Sequence, residues 1–137
     1  MSYRVTWQWV PEERELPWVM YHAAWLEYPE LRHTSLSDFF ERACMSVMGM
    51  RRLSVDIWYG RMLVGHLIAA VDDDLHIGPC LTVVWAYVLP QHRGKVPNLH
   101  RQLRSPSKAM QLSMSWSHRR GPNQYGIRYW RNHGQKG

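Results

Sequence analysis

Three consecutive residues, Arg93, Gly94 and Lys95, have the types and the position to bind an anion. They follow a nearly continuous apolar stretch, Leu81–Leu89, and precede a segment from Asn98 that is predicted to be helical. The first amides of a helix have no partners within the helix and point toward whatever lies before it. Gly94 lets the backbone turn and come close to a ligand. The sequence therefore predicts an anion-binding strand–loop–helix unit.

The segment from Val84 to Lys95, VWAYVLPQHRGK, resembles the central motif of the GNAT superfamily of acyl-CoA-dependent N-acetyltransferases. In that family a strand ends in V-x-P and is followed by x-x-R-G-x-G-x-G/A and a helix. The resemblance implies acetyl-CoA as a possible cofactor, with the strand's end pairing with the pantetheine arm and the loop amides binding the pyrophosphate. The cofactor-binding candidates that it implies are Tyr87, Val88, Arg93, Gly94 and Lys95.

The residues after Lys95 depart from the family motif. Val96 and Asn98 stand where the family has its second and third small residues, and Pro97 between them has no amide to donate. Val96 also disfavours a positive φ and adds bulk beside the expected position of the phosphate. The loss of one charge-assisted amide contact costs about 1.5–3 kcal/mol. The sequence therefore predicts a degenerate acyl-CoA loop.

The second half of the chain is shorter than the resemblance implies, because a short hairpin stands where the family has a fourth helix and further strands. Together with the altered loop, this predicts a non-catalytic GNAT-like protein with an interaction or structural role. Its size, its loop and its Trp- and Arg-rich ending resemble short, divergent family members of tailed phages, which implies a phage virion component. An active acetyl-CoA-dependent N-acetyltransferase and a nucleic-acid-binding module are the alternative hypotheses.

No residue is assigned a catalytic role. The family often uses a tyrosine as the acid, and Tyr125 or Tyr129 could stand in for it, although alternating strand aromatics are more often packing residues. Glu41 and Asp56 could deprotonate an amine only if the fold brought them to the end of the central strand.

Charge is distributed asymmetrically along the chain. All eleven acidic residues lie before Leu75, whereas residues 75–137 contain ten lysines or arginines and no acid, which favours a polyanionic ligand or an acidic protein partner. Aromatic and guanidinium side chains alternate near the end of this half. This pattern has three interpretations: a protein interface, a surface that binds a nucleic-acid strand, or the packing of a hairpin. The partner-binding candidates are Trp116, Arg119, Arg120, Tyr125, Arg128, Tyr129, Trp130 and Arg131. The favoured partner is a protein with an acidic surface or a virion assembly, and nucleic acid is the alternative.

Metal binding, a disulfide and a membrane span are not predicted. Cys44 and Cys80 lack metal-ligand spacing and are expected to be reduced thiols, and the eight histidines are scattered. The triplet Asp72–Asp74 has no later acid to complete a cation site. The longest apolar stretch, Met62–Val71, contains His66 and is too short to cross a bilayer, and the N-terminus lacks the apolar core of a signal peptide. The expected location is the cytoplasm, or a virion assembled there.

The expected fold is a single α/β domain over residues 1–137, a mixed sheet flanked by helices, GNAT-like with a truncated second half. Patterning predicts strands at Tyr3–Val10, Leu53–Tyr59, Met62–Val71 and Leu81–Leu89, the last buried on both faces, with a turn at Asp72–Asp74.

Helical spacing predicts a helix that opens at Pro11 and stops at Pro29, a second helix from a cap at Thr34–Asp38 to about Met50, and a third helix from Asn98 to Met114 that is kinked at Ser105-Pro106. A basic aromatic hairpin at residues 115–131, made of Ser115–Arg119 and Gln124–Arg131, follows it. Residues 132–137 are expected to form a flexible tail.

Overall fold

The computed structural model describes residues 2–10 and 16–132. In these ranges the main elements are, in chain order, β1 (Tyr3–Val10), α1 (Trp18–Glu27), α2 (Leu36–Val47), β2 (Arg52–Tyr59), β3 (Met62–Asp74), β4 (Gly78–Val88), α3 (Arg104–Ala109), β5 (Ser113–Gly121) and β6 (Gln124–Trp130). Short 3-10 helices lie at Pro29–His33, Pro90–His92 and His100–Leu103.

The six strands form one sheet in the order β1-β2-β3-β4-β5-β6. Neighbouring strands are antiparallel except for β4 and β5, which are parallel. The prediction of a mixed α/β sheet flanked by helices is therefore confirmed. The shortened second half is confirmed as well, since β6 follows β5 through a tight turn and no helix follows β5 in the described part of the chain.

The sheet has a hydrophobic core on each of its two faces, because side chains alternate between the faces along a strand. The core of the α1–α2 face consists of Leu16, Met20, Tyr21, Ala24, Val47, Ile68 and Tyr87. The core of the α3 face is larger and consists of Leu53, Val55, Ile57, Val64, Leu67, Ala69, Leu81, Val83, Leu99, Leu103, Leu112 and Met114. Helices α1 and α2 thus cover one side of the central strands, and the segment leading into α3 covers the other.

The first helix is shorter than its sequence pattern predicts. It begins at Trp18, directly after Pro17, and residues 11–15, where the prediction placed its start, lie outside the described residues. It ends at Glu27, because Pro29 forces the residue before it into an extended conformation.

The second helix begins at the predicted cap and ends early. The Ser35 hydroxyl accepts a hydrogen bond from the Asp38 amide at 3.1 Å, which satisfies one of the amides that a helix start leaves free. The helix ends at Val47 and not at Met50, since Gly49 adopts a left-handed φ of 78°.

Strand β3 runs through Asp72–Asp74, where the prediction placed a turn. The turn follows at residues 75–77, and the carboxylate at its start organises it: Asp74 accepts hydrogen bonds from the amides of His76 and Ile77. This side chain is therefore a turn cap, as short acidic side chains often are.

Strand β4 is not buried on both faces along its whole length, so that prediction is wrong for its second half. Val84 is 40% exposed. The reason is that β5 pairs with β4 only as far as Val83, which leaves the remaining residues of β4 without a neighbour on that side.

The predicted long helix after the loop is replaced by two short pieces. A 3-10 helix ends at Leu103 and α3 follows at Arg104, so the predicted break near Pro106 is confirmed. Pro106 lies in the first turn of α3, where the amide that proline lacks is not needed. The helix stops at Ala109 and does not reach Met114, which belongs to β5.

The terminal hairpin is confirmed, and its first strand begins two residues earlier than predicted. Asn132, which follows the second strand of the hairpin, is buried, and its backbone amide donates to the Ser113 hydroxyl at 3.0 Å. The rest of the predicted tail, residues 133–137, lies outside the described residues.

No helix within residues 2–10 and 16–132 is long and apolar enough to cross a membrane. In the same ranges, no group of three or more His, Cys, Asp or Glu side chains could hold a metal ion. The two cysteines are free thiols, with Cys80 buried and Cys44 partly buried.

Candidate functional site

The candidate site lies where strands β4 and β5 diverge. They are paired from Cys80 to Val83 on β4, and beyond that point they separate. The space between them, the split cavity, has a volume of about 360 Å³ and is lined by Tyr28, Leu31, Val83, Val84, Trp85, Ala86, His100, Ser117, His118, Arg119 and Tyr125. A parallel pair that opens in this way exposes backbone groups of β4, which a ligand or a side chain can then use.

A second cavity, the loop cavity, also of about 360 Å³, lies beside the first at the end of β4. It is lined by Tyr28, Ala86, Tyr87, Val88, Arg93, Gly94, Val96, Pro97, Asn98, Leu99 and His100. The structure thus brings four of the five cofactor-binding candidates to one cavity. The fifth, Lys95, is exposed and does not line it.

The loop backbone fits a pyrophosphate only in part. Gly94 has a φ of 77°, the left-handed conformation that suits glycine, so the predicted turn is present. However, the Lys95 amide donates to the carbonyl of His92 at 3.1 Å and the Arg93 amide to that of Pro90 at 3.4 Å, so both close local turns. These two amides are engaged within the loop and do not form an anion cradle.

The carbonyl of Val88 has a partner from within the chain. The Leu89 amide donates to Val64 on β3 at 2.9 Å, so the Val88 carbonyl of the same trans peptide points the other way, toward the split. There it accepts a hydrogen bond from the Arg93 Nε at 3.1 Å. This is the strand-end backbone that the family resemblance assigns to the pantetheine arm, and a side chain of the loop uses it.

The same arginine forms a bidentate ion pair with Glu27. We call the cluster of Glu27, Arg93 and Tyr87 the Glu27 clasp. The two terminal nitrogens of Arg93 each lie 2.5 Å from a different Glu27 oxygen, and the Tyr87 hydroxyl donates to that carboxylate at 2.6 Å. Hydrogen bonds from Arg93, more than any other cause, lower the pKa of Glu27. Burial, followed by its bond to Glu27, raises the pKa of Tyr87.

A second ion pair, the Glu30 clasp, is made of Glu30, Arg119 and Tyr125. The Glu30 carboxylate receives hydrogen bonds from Arg119 at 2.5 and 3.0 Å and from the Tyr125 hydroxyl at 3.1 Å. The bonds from Arg119 are the main cause that lowers the pKa of Glu30 to about 2. Between the clasps lies Tyr28, with the Arg119 guanidinium 4.4 Å and the Arg93 guanidinium 6.0 Å from its ring centre. One short segment therefore reaches the loop after β4 and both strands of the hairpin.

The side chains considered for acid–base chemistry are not assembled as a catalytic pair. Asp56 lies on β2 and bonds to His66 at 2.7 Å, and Glu41 is exposed on α2 and lines none of the cavities described here. Tyr125 lies at the split but is bound to Glu30, whereas the Tyr129 ring lies near His76. The two carboxylates that do reach the split are held ionised by arginine, which makes them weak proton acceptors.

The partner-binding candidates fall on opposite faces of the sheet. Trp116, Arg120, Arg128 and Trp130 lie on the α3 face, as the pairing of Trp116 with Arg128 and of Met114 with Trp130 indicates. Arg119, Tyr125 and Tyr129 lie on the α1–α2 face, and Arg131 is exposed after the end of β6. The eight residues therefore do not form one continuous surface.

Sequence reasoning missed the two glutamates that complete the clasps, one at the end of α1 and one in the segment that follows it. Glu27 and Glu30 contact arginines 66 and 89 residues further along the chain. No local spacing marks such contacts, and the only signal was that the acidic residues all precede the basic half.

The sequence matches no protein-family model and no curated protein sequence. Among solved structures, the chain is similar to an aminoglycoside antibiotic 6'-N-acetyltransferase from Acinetobacter haemolyticus. The two share 18% sequence identity with a TM-score of 0.46, over 78% of this chain and 74% of that one.

Proposed function

We propose that the protein is a non-catalytic member of the GNAT-like architecture that binds another protein, as a structural or assembly component of a phage particle. The observation that carries this proposal is the Glu27 clasp. Arg93 both neutralises Glu27 and occupies the Val88 carbonyl, so the strand-end carbonyl that the family resemblance assigns to the pantetheine arm is engaged within the chain.

Opening the clasp for a ligand has a free-energy cost. Hydrogen bonds to charged groups each contribute about 1.5–3 kcal/mol, and partial exposure of the pair reduces that contribution. Even about 1.4 kcal/mol lowers an affinity tenfold. The loop offers little compensation, because the Lys95 amide is engaged and Pro97 has none. These features support weak or absent acyl-CoA binding.

The outer strand of the hairpin supports the role in protein binding. On the α1–α2 face of β6, Tyr125 is 57%, Ile127 65% and Tyr129 40% exposed. Within the described residues β6 pairs only with β5, so its outer edge has free backbone groups that another strand could use. The net positive charge of this half favours a partner with an acidic surface.

Isothermal titration calorimetry with acetyl-CoA tests the non-catalytic assignment. The expected result is no binding tighter than the millimolar range, measured beside an active acetyltransferase as positive control. Gly94→Ala strains the left-handed turn, and Gly121→Ala is a matched control because a Cβ there meets open space at an ordinary φ. Micromolar one-to-one binding that Gly94→Ala weakens and Gly121→Ala does not would contradict the proposal.

A second candidate is a working acyl-CoA-dependent N-acyltransferase, which the left-handed Gly94 and the loop cavity favour. It predicts micromolar acetyl-CoA binding that Gly94→Ala weakens and Gly121→Ala does not. It also predicts release of free thiol from acetyl-CoA in the presence of a suitable amine. The phage assignment is tested separately: neighbouring genes that encode phage structural proteins support it, and neighbours that encode metabolic enzymes contradict it.

A further inference from the structure

A third cavity, the basic cavity, lies on the α3 face and has a volume of about 410 Å³. It is lined by Asn98, His100, Arg101, Arg104, Met114, Trp116, His118 and Arg128. It forms because β5 turns back at once into β6, so that Trp116, His118 and Arg128 project from the hairpin toward the start of α3 with no helix between them in the described residues.

The three arginines of this cavity differ from those of the clasps. Arg101, Arg104 and Arg128 are exposed, and no carboxylate within the described ranges forms an ion pair with any of them. Arg93 and Arg119, by contrast, are each bound by a glutamate. Three fixed positive charges around one concavity, with no acid among its lining residues, create a local field that attracts anions.

Two imidazoles add hydrogen-bonding groups that the described residues leave unsatisfied. The Nε2 of His100 and the Nδ1 of His118 are buried and have no hydrogen-bond partner. The Nε2 of His118 lies 3.4 Å from the Nε of Arg120 and accepts its hydrogen, so a neutral His118 carries its own proton on Nδ1. A buried donor without an acceptor costs free energy, and a ligand that accepts from it would recover that cost.

The positions of both rings are determined by their neighbours. The His118 ring lies over Gly126, where an added Cβ would be only 2.7 Å from a ring carbon. The His100 ring packs against Trp116 with ring centres 5.2 Å apart. Burial and the neighbouring His118 lower the pKa of His100, which favours its neutral form. The arginines therefore supply the fixed positive charge of the cavity, to which His100 in its neutral form adds none.

We propose that the basic cavity binds a phosphate-bearing anion, supplied either as a free nucleotide or as the backbone of a single nucleic-acid strand. Arginine presents its donors in a planar fork that matches phosphate oxygens, and three forks with two imidazoles suit more than one phosphate group. The volume lies in the range of small-ligand sites, roughly 300–1,000 Å³. The basic cavity shares Asn98 and His100 with the loop cavity and His100 and His118 with the split cavity, whereas its three arginines line neither of them.

Calorimetry with inorganic pyrophosphate at low ionic strength tests the site. We expect one-to-one binding that Arg101→Gln and Arg128→Gln each weaken about tenfold or more, since each removes a charge-assisted contact. Arg61→Gln is the matched control, because Arg61 is an exposed arginine outside the cavity, and it should change the affinity less than twofold. Absence of binding at millimolar pyrophosphate, or an equal loss in the control variant, overturns the proposal.

Proton–nitrogen NMR of the histidines gives a readout that does not rely on substitution. Addition of pyrophosphate should shift the ring signals of His100 and His118 and leave those of the exposed His76 in place. Shifts of all three rings by similar amounts would contradict a defined site.

The source of the phosphate is identified with ADP and a twelve-residue oligothymidylate. Tighter binding of the strand, with an affinity that falls steeply with salt and depends on Arg128, identifies nucleic acid as the ligand. Tighter binding of ADP identifies a nucleotide. Acetyl-CoA binding that Arg128→Gln abolishes and Gly94→Ala does not alter belongs to the basic cavity and leaves the non-catalytic assignment intact. If the affinity for none of these ligands depends on Arg101 or Arg128, the inference is wrong.

Discussion

The Glu27 clasp makes a quantitative prediction about stability. Replacing Glu27 by Gln and Arg93 by Gln, singly and together, should reveal a coupling energy between the two side chains. The pair is bidentate, with both separations 2.5 Å, and its side chains are 28% and 39% exposed. We therefore expect a coupling energy of about 1–2 kcal/mol. This is more than the roughly 0.2–1 kcal/mol of an exposed ion pair and less than the coupling of two fully desolvated charges.

Thermal unfolding followed by near-ultraviolet circular dichroism measures this coupling. For a domain of this size 1 kcal/mol corresponds to roughly 3–5 °C in Tm, so the single variants should unfold several degrees below the wild type. The exposed helical pair Asp38 and Arg42, 2.9 Å apart, provides a matched cycle on the same chain. Its coupling should be about 0.5 kcal/mol or less.

Two results would refute the reasoning about the clasp. A coupling between Glu27 and Arg93 no larger than that of the helical pair would show that solvent screens the clasp as it screens a surface pair. Micromolar acetyl-CoA binding to the wild type that Gly94→Ala weakens and Glu27→Gln leaves unchanged would show that the clasp does not compete with the ligand.

Two further predictions concern the hairpin. Gly126→Ala should lower Tm and displace the His118 ring, since the added Cβ collides with it, whereas Gly121→Ala should leave both unchanged; NMR of the histidine ring and thermal unfolding measure this. Because Arg119 lowers the pKa of Glu30 from 4.5 to about 2, the stability that Glu30 contributes is fully present above pH 4.5 and is lost as the pH falls toward 2. The Tm difference between the wild type and Glu30→Gln should therefore be constant between pH 5 and pH 7 and shrink below pH 4.5, and a difference that persists unchanged to pH 2.5 contradicts the assignment.

The sheet was predictable because its strands carry local signals. Alternation in β1 and β2 and the apolar run of β4 each mark a strand without reference to the rest of the chain. The predicted helix after the loop extended too far, to Met114. That residue belongs to β5, and Leu112 lies in the connection between α3 and this strand. A left-handed residue, Gln111 with a φ of 58°, separates the two elements, and nothing in its side chain marks that conformation.

The division of the hairpin into two faces could have been foreseen from residue parity, but the separation of its charges could not. Arg119 and Arg128 both belong to the acid-free half, and the strand pleat sends them to opposite sides of the sheet. On one side Glu30 reaches Arg119, because the end of α1 lies over the split. On the other side no described carboxylate pairs with Arg128. Part of the basic half therefore stabilises the fold, and the arginines of the α3 face retain the unpaired charge that an external anion can use.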